Sequence, residues 1–292
     1  MSLFRGSAVA LITPFANGKV DVSALHRLVE MQIEGGTAAL LACGTTGEPS
    51  TMSAEERELV IRETVKAANG RVPVICGTGS NCTQSVIDNE RRFRDLGCAA
   101  QLVVTPYYNK TTQEGLYAHF MHVAENTELP IILYNVPSRT NLDISAATLK
   151  RLAECEKFIA LKESSYSVPA ILEKMAAVEG KITFYSGNDD MVYPLLALGA
   201  EGVISVVSNV APRFMADMVE SYFNGDAERS RAMQVESLPL VRAMFNEVNP
   251  IPCKYAAEKL GICSGEMRLP LIEAGEKTKQ MMDEALKALN LL

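Results

Sequence analysis

Pro130-Ile131-Ile132-Leu133-Tyr134-Asn135-Val136-Pro137-Ser138-Arg139 and, further along, Phe158-Ile159-Ala160-Leu161-Lys162-Glu163-Ser164-Ser165 are built alike. Each is a short apolar run, unbroken by charge, that ends abruptly in polar residues. That is how a strand buried on both faces reads. If the two runs are neighbouring parallel strands, a phenol, a guanidinium and an amine meet at one mouth. A lysine directed inward from a strand end is unfavourable unless its amine is neutral or paired. Buried lysines therefore have lowered pKa values, and a neutral amine attacks a ketone to form a Schiff base. The combination suits an enzyme that works on a carbonyl group in a carboxylate substrate.

The same run recurs along the chain, at 8–12, 38–42, 72–76, 100–104, 131–134, 159–162, 183–186 and 202–206. Between these lie amphipathic stretches with helical period, at 23–34, 54–68, 83–95, 114–126, 145–153, 168–178 and 191–198. Helix signals agree with the division: Ser53-Ala54-Glu55-Glu56 has the capping-box form, and Asp21-Val22-Ser23 offers caps to the first helix. Strands alternating with helices predict an α/β fold with parallel topology. Eight such strands close a (β/α)8 TIM barrel, an open doubly wound sheet being the alternative that the pattern leaves. From about Pro212 only helical periodicity continues, over 215–223, 227–246, 252–260 and 276–291. The expected organisation is a barrel over 1–224 and a C-terminal helical extension over 225–292.

With 292 residues, 48% of them apolar and 22% charged, the chain can bury a sizeable core. Its net charge of −7, from 28 basic and 35 acidic residues, disfavours a nucleic-acid partner. An acidic protein that binds an anion must do so through local cations, which draws attention to Arg139. The seven cysteines (43, 76, 82, 98, 155, 253 and 263) form no CxxC pair and suggest buried, reduced thiols. No secretory leader and no apolar stretch of membrane-spanning length is present, so a soluble cytoplasmic protein without a membrane partner is expected.

Four run ends carry distinctive chemistry. Gly44-Thr45-Thr46-Gly47-Glu48 follows the second, and its amides and hydroxyls either hold a carboxylate or simply make a tight turn. Thr105-Pro106-Tyr107-Tyr108-Asn109 follows the fourth. Tyr134 either relays protons or packs on its neighbour, and Arg139 either meets a substrate carboxylate or faces solvent. His119, His122 and Glu125 recur every three residues, yet they drift around a helix, so a solvated face is expected rather than a metal site. His26 stands alone on the first helix. Gly77-Thr78-Gly79-Ser80-Asn81 lacks the ending of a phosphate loop and reads as the turn after the third run.

Together these motifs resemble the dihydrodipicolinate synthase family. The match rests on Gly44-Thr45-Thr46-Gly47-Glu48, Val104-Thr105-Pro106-Tyr107-Tyr108-Asn109, the Tyr134-to-Arg139 turn and Lys162-Glu163-Ser164. Ser186-Gly187-Asn188-Asp189-Asp190 and Asn249-Pro250-Ile251-Pro252-Cys253-Lys254 extend it over nearly the whole chain. The resemblance implies a homotetramer, a dimer of dimers, in which pyruvate forms an imine on Lys162 and its enamine attacks aspartate 4-semialdehyde on the way to diaminopimelate and lysine. It makes Tyr134, Thr45 and Tyr108 a proton relay, with Tyr108 supplied across an interface. Thr45 and Thr46 would bind the pyruvate carboxylate, Arg139 that of the aldehyde, and the backbones of Gly187 and Ile204 would line the pocket. No metal or organic cofactor is implied. Related aldolases, of the N-acetylneuraminate or 2-keto-3-deoxy sugar acid type, share the barrel and the lysine, but Thr45-Thr46, Arg139 and Tyr107-Tyr108 favour the synthase. A barrel that only binds has no need of an imine-forming amine beside a relay. The chain also departs from relatives inhibited by lysine: Ala54, Arg57 and Ser85 stand where those often carry two histidines and a glutamate. Weak or absent lysine feedback is therefore expected. Asn141 stands where many members have glycine, which leaves the backbone after Arg139 open.

Overall fold

The computed structural model describes residues 2–292. Its strands are β1 (Gly6–Ala10), β2 (Phe15–Ala16), β3 (Lys19–Val20), β4 (Ala39–Ala42), β5 (Val74–Gly77), β6 (Ala100–Val104), β7 (Ile131–Asn135), β8 (Phe158–Glu163), β9 (Thr183–Ser186) and β10 (Gly202–Ser205). All but β2 and β3 form one closed parallel barrel in the order β1-β10-β9-β8-β7-β6-β5-β4. The open sheet is thereby excluded. Strands β2 and β3 make a small antiparallel hairpin outside the eight expected runs. Its signal was present in Asn17-Gly18, both left-handed at φ 53° and 76° as a tight hairpin turn requires.

Strand sequences explain the closure. Even-numbered residues of β1, Ala8 and Ala10, face the barrel interior with Leu41, Ile75, Leu102, Ile132, Ala160, Tyr185 and Ile204. Their odd-numbered neighbours, such as Val9, Val103, Leu133 and Leu161, join the layers between barrel and helices. Mixing alanines with large side chains fills a barrel of this size without a pore.

The helices are α1 (Val22–Glu34), α2 (Ala54–Ala68), α3 (Thr83–Phe93), α4 (Gln113–Asn126), α5 (Pro137–Thr140), α6 (Ala146–Leu152), α7 (Val168–Val178), α8 (Val192–Ala197), α9 (Pro212–Phe223), α10 (Ala227–Met244), α11 (Ile251–Lys259) and α12 (Glu276–Ala288). Both expected caps form. Asp21 accepts from the Ala24 amide, and Ser53 exchanges hydrogen bonds with Glu56 at 3.2 and 3.0 Å. The four-residue α5 is too short for periodicity to reveal and reads in the sequence as a turn. Helices α10 to α12 form the C-terminal extension, anchored on the barrel through Gln234, whose amide donates to the Asp189 carbonyl at 2.9 Å.

All seven cysteines are free thiols, but Cys82 is exposed and Cys155 and Cys263 are only half-buried, so burial holds for the other four. No described helix is long and apolar enough to cross a membrane.

Strand β8 has one irregularity that sets up the site. Ile131 pairs with Phe158 and Ile132 with Ala160, so Ile159 is an extra residue, a β-bulge. The bulge resets the alternation of β8. Beyond it Ala160 faces the interior with Ile132, Leu161 faces the helices, and Lys162 comes into register with Tyr134.

Candidate active site

Lys162 is 4% exposed and lies between Tyr134 of β7 and Tyr185 of β9 in the barrel register. Its amine stands 4.6 Å from the centre of the Tyr134 ring. Burial pushes its pKa down to about 8; the Asp189 carboxylate opposes that shift and the Arg139 cation adds to it. A lysine of pKa ~8 is neutral about one time in ten at pH 7, against roughly one in several thousand for an ordinary lysine. The chain thus holds a usable nucleophile at neutral pH without a separate base.

Tyr134 is buried, and burial raises its pKa, while the Arg139 charge and the Ser164 and Thr45 hydroxyls facing the phenol draw it back. Thr45 and Thr46 open a 3₁₀ turn, Thr45–Gly47, directly after β4. Thr46 is buried and its hydroxyl accepts from the Asn249 amide at 2.9 Å. The turn is fixed from behind by Glu48, held at φ 55° and within 3.2 Å of the wholly buried Lys254 amine. Lys254 also donates to the carbonyls of Thr13 and Glu266 at 2.6 and 2.8 Å. Removing one partner of so buried a pair costs about 3–5 kcal/mol.

Arg139 sits on α5 and donates through Nη2 to the Asn249 carbonyl at 3.1 Å. The open question of Asn141 resolves simply: it is left-handed at φ 51°, a conformation asparagine tolerates far better than most residues, and its amide closes α5 on the Pro137 carbonyl.

Gly187 is required by close approach. A Cβ there would fall 2.0 Å from Ser164 Oγ and 3.1 Å from both Lys162 Cε and Cγ. Asp189, buried beneath the site, accepts from Ser205 Oγ and from the Val206 and Val207 amides, and burial nevertheless raises its pKa.

A cavity of about 530 Å³ gathers Lys162, Tyr134, Thr45, Thr46, Arg139, Ser164, Gly187, Val206 and Asn249. A second, of about 340 Å³, shares Thr45, Tyr134, Arg139 and Asn249 with it and runs on to Tyr107 and Leu271. Six of the eight expected residues therefore meet. Ile204 does not line either cavity; it is wholly buried in the barrel interior, and Val206 forms that part of the wall. Tyr108 is 92% exposed, held at φ 69° on the loop after β6, and lines neither cavity. Sequence reasoning gave no site role to Asn249, Ser164 or Asp189. Only the Asn249-Pro250 dipeptide carried a hint, as a turn.

Away from the mouth, a smaller cavity of about 310 Å³ brings Arg57, Ser85 and Tyr107 together, with Asp88 as an unanticipated carboxylate on its wall. His119, His122 and Glu125 do not converge: His119 is buried against Thr83, 2.9 Å from its hydroxyl, while the other two are exposed. Burial lowers the His119 pKa to about 4. No group of three or more side chains able to hold a metal ion occurs among the described residues. His26 pairs with Glu63 at 2.9 Å.

Fold and site together define a β/α-barrel protein with a buried, depressed-pKa lysine at the carboxyl ends of its strands. The chain matches the Dihydrodipicolinate synthetase family over residues 3–289 and belongs to it. It is 44% identical over 290 residues to the 4-hydroxy-tetrahydrodipicolinate synthase of Trichlorobacter lovleyi, covering 99% of this chain and 100% of that one. Among solved structures, a monomeric dihydrodipicolinate synthase variant superposes with a TM-score of 0.97 at 41% identity, over 99% of this chain and 98% of that one. The chloride-inhibited dihydrodipicolinate synthase of Acinetobacter baumannii, complexed with pyruvate, gives 0.96 at 42% identity, over 99% of both chains.

Proposed function

We propose that this chain is a lyase that condenses pyruvate with L-aspartate 4-semialdehyde, as a 4-hydroxy-tetrahydrodipicolinate synthase. The single observation that carries the reading is the buried amine of Lys162 beside the Tyr134 phenol, with its pKa brought down to about 8. In this reading the neutral amine attacks the pyruvate ketone and water leaves, giving an imine. Loss of a methyl proton turns the imine into an enamine, whose carbon attacks the aldehyde. Thr45 and Thr46 receive the pyruvate carboxylate, and Arg139 that of the aldehyde, bidentately as a guanidinium can. Tyr134 and Thr45 move protons at the imine. The exposed Tyr108 completes the relay in a neighbouring copy, and the assembly is a homotetramer. Gly187 gives the substrate room beside Lys162. The barrel, 1–224, supplies the reacting groups, and the extension, 225–292, closes the mouth through Asn249. The enzyme works in the cytoplasm.

Borohydride reduction in the presence of pyruvate tests the reading. A stable adduct on Lys162 is expected, and Lys162→Ala should lose both the adduct and turnover by several orders of magnitude, roughly 10³-fold or more. Near-normal turnover in that variant would refute the assignment. Aspartate semialdehyde should outperform N-acetylmannosamine and sugar aldehydes as acceptor.

A further inference from the structure

We propose that Lys174 is a positioning residue for the imine-forming lysine: by pairing with Glu163 and Asp143 behind the barrel it locks the ends of β7 and β8, and with them Lys162, Tyr134 and Ser164, in reactive geometry. The inference rests on the pyruvate–imine reading above. Lys174 lies on α7 with its side chain 2% exposed, and its amine is 2.9 Å from Glu163 Oε2 and 2.8 Å from Asp143 Oδ1. Glu163 follows Lys162 directly and points to the opposite face of β8, where its side chain is wholly buried.

The same two carboxylates converge on one amide. Asn135 Nδ2 donates to both Glu163 oxygens, at 2.8 and 3.1 Å, and to Asp143 Oδ1 at 2.6 Å. Two carboxylates sharing an amide repel each other, and Lys174 is the cation that lets them stay. The consequence reaches the mouth because Asn135 and Glu163 stand in register one step beyond Tyr134 and Lys162. The segment carrying Ser164 is held at two points, its own amide on the Asn135 carbonyl at 2.8 Å and the Ser165 amide on Glu163 Oε1 at 2.7 Å. Asn135 Oδ1 accepts from the Ile144 amide at 3.0 Å, which ties down the chain leaving the Arg139 helix. One buried cation therefore fastens three stretches that bring groups to the cavity, without touching it.

The test compares wild type, Lys174→Met and the double variant Glu163→Gln/Lys174→Met, in which a neutral amide can still bridge Asn135 and Asp143. The rate of pyruvate adduct formation is read by borohydride quench and intact mass, at a temperature where circular dichroism shows each variant folded. Lys174→Met should form the adduct at least about tenfold more slowly, as misplaced reacting atoms do, with pyruvate half-saturation changed by less than about threefold. The double variant should recover to within about threefold of wild type, since the opposing charge is gone. Wild-type adduct rates in folded Lys174→Met would overturn the proposal, whatever its melting temperature, and so would a folded double variant as slow as the single. If Lys174→Met does not fold, the double variant decides against wild type: a rate within about threefold supports the proposal, and a folded double variant about tenfold or more slower overturns it. No adduct in the wild type would instead sink the pyruvate reading itself, and this inference with it.

Discussion

Lys162 is reactive because of where it stands, and its neighbours tune it in opposite directions. Burial lowers its pKa, the Arg139 cation lowers it further, and the Asp189 carboxylate raises it. The sign for reactivity follows directly. Only the neutral amine attacks, so adduct formation with pyruvate should rise with pH through an inflection at about 8 and level off above it. Arg139→Met removes a contribution that holds the pKa down, so the inflection should move to higher pH. Quenched-flow trapping across a pH series measures both, and an inflection that stays put in Arg139→Met would remove Arg139 from this role. The same shift costs stability: the buried amine is charged below about 8 and its desolvation penalty is present in full there. That penalty fades as pH rises from the folded pKa towards the unfolded one near 10.4.

Among the elements, what could be read from the sequence is what depends on neighbours along the chain. Eight apolar runs, the Ser53 capping box and a lysine near the end of β8 are local patterns, and each has its counterpart in the structure. Ladder length defeats the same reading at its edges: β5 begins at Val74, two residues later than the run at 72 suggested, and β1 at Gly6, two earlier than the run at 8. Contacts made at the site across long separations leave no local pattern. Asn249 meets Thr46 from 203 positions away and Arg139 from 110, and no periodicity reports such a meeting. Its two contacts differ in kind, since the amide side chain holds Thr46 and the backbone carbonyl holds Arg139. Asn249→Leu should therefore raise the pyruvate KM by roughly tenfold, the worth of one hydrogen bond to a polar group. The aldehyde KM should stay within about twofold, because the carbonyl remains. Equal effects on both substrates in steady-state kinetics would show that the whole segment moves.

For the molecule as a whole, regulation is a separate matter from catalysis. A lysine entering the cavity at Arg57 and Ser85 would bring its ammonium to a cation, although Asp88 on the same wall would soften the repulsion. Lysine at about 1 mM, a binding free energy of roughly −4 kcal/mol, should leave turnover unchanged, and calorimetric binding tighter than that would contradict the expectation. The extra residue in β8 has a consequence of a different sort. Lys162 and Glu163 are adjacent ionisable groups, and Ile159 decides which of them looks inward. The bulge works as a parity bit for the strand. Were Ile159 drawn into regular pairing instead, with Phe158 still opposite Ile131, their surroundings would exchange, sending a carboxylate to the mouth and a second amine towards Lys174. Whether this barrel can do imine chemistry thus depends on how one residue before its lysine is paired as much as on the lysine itself.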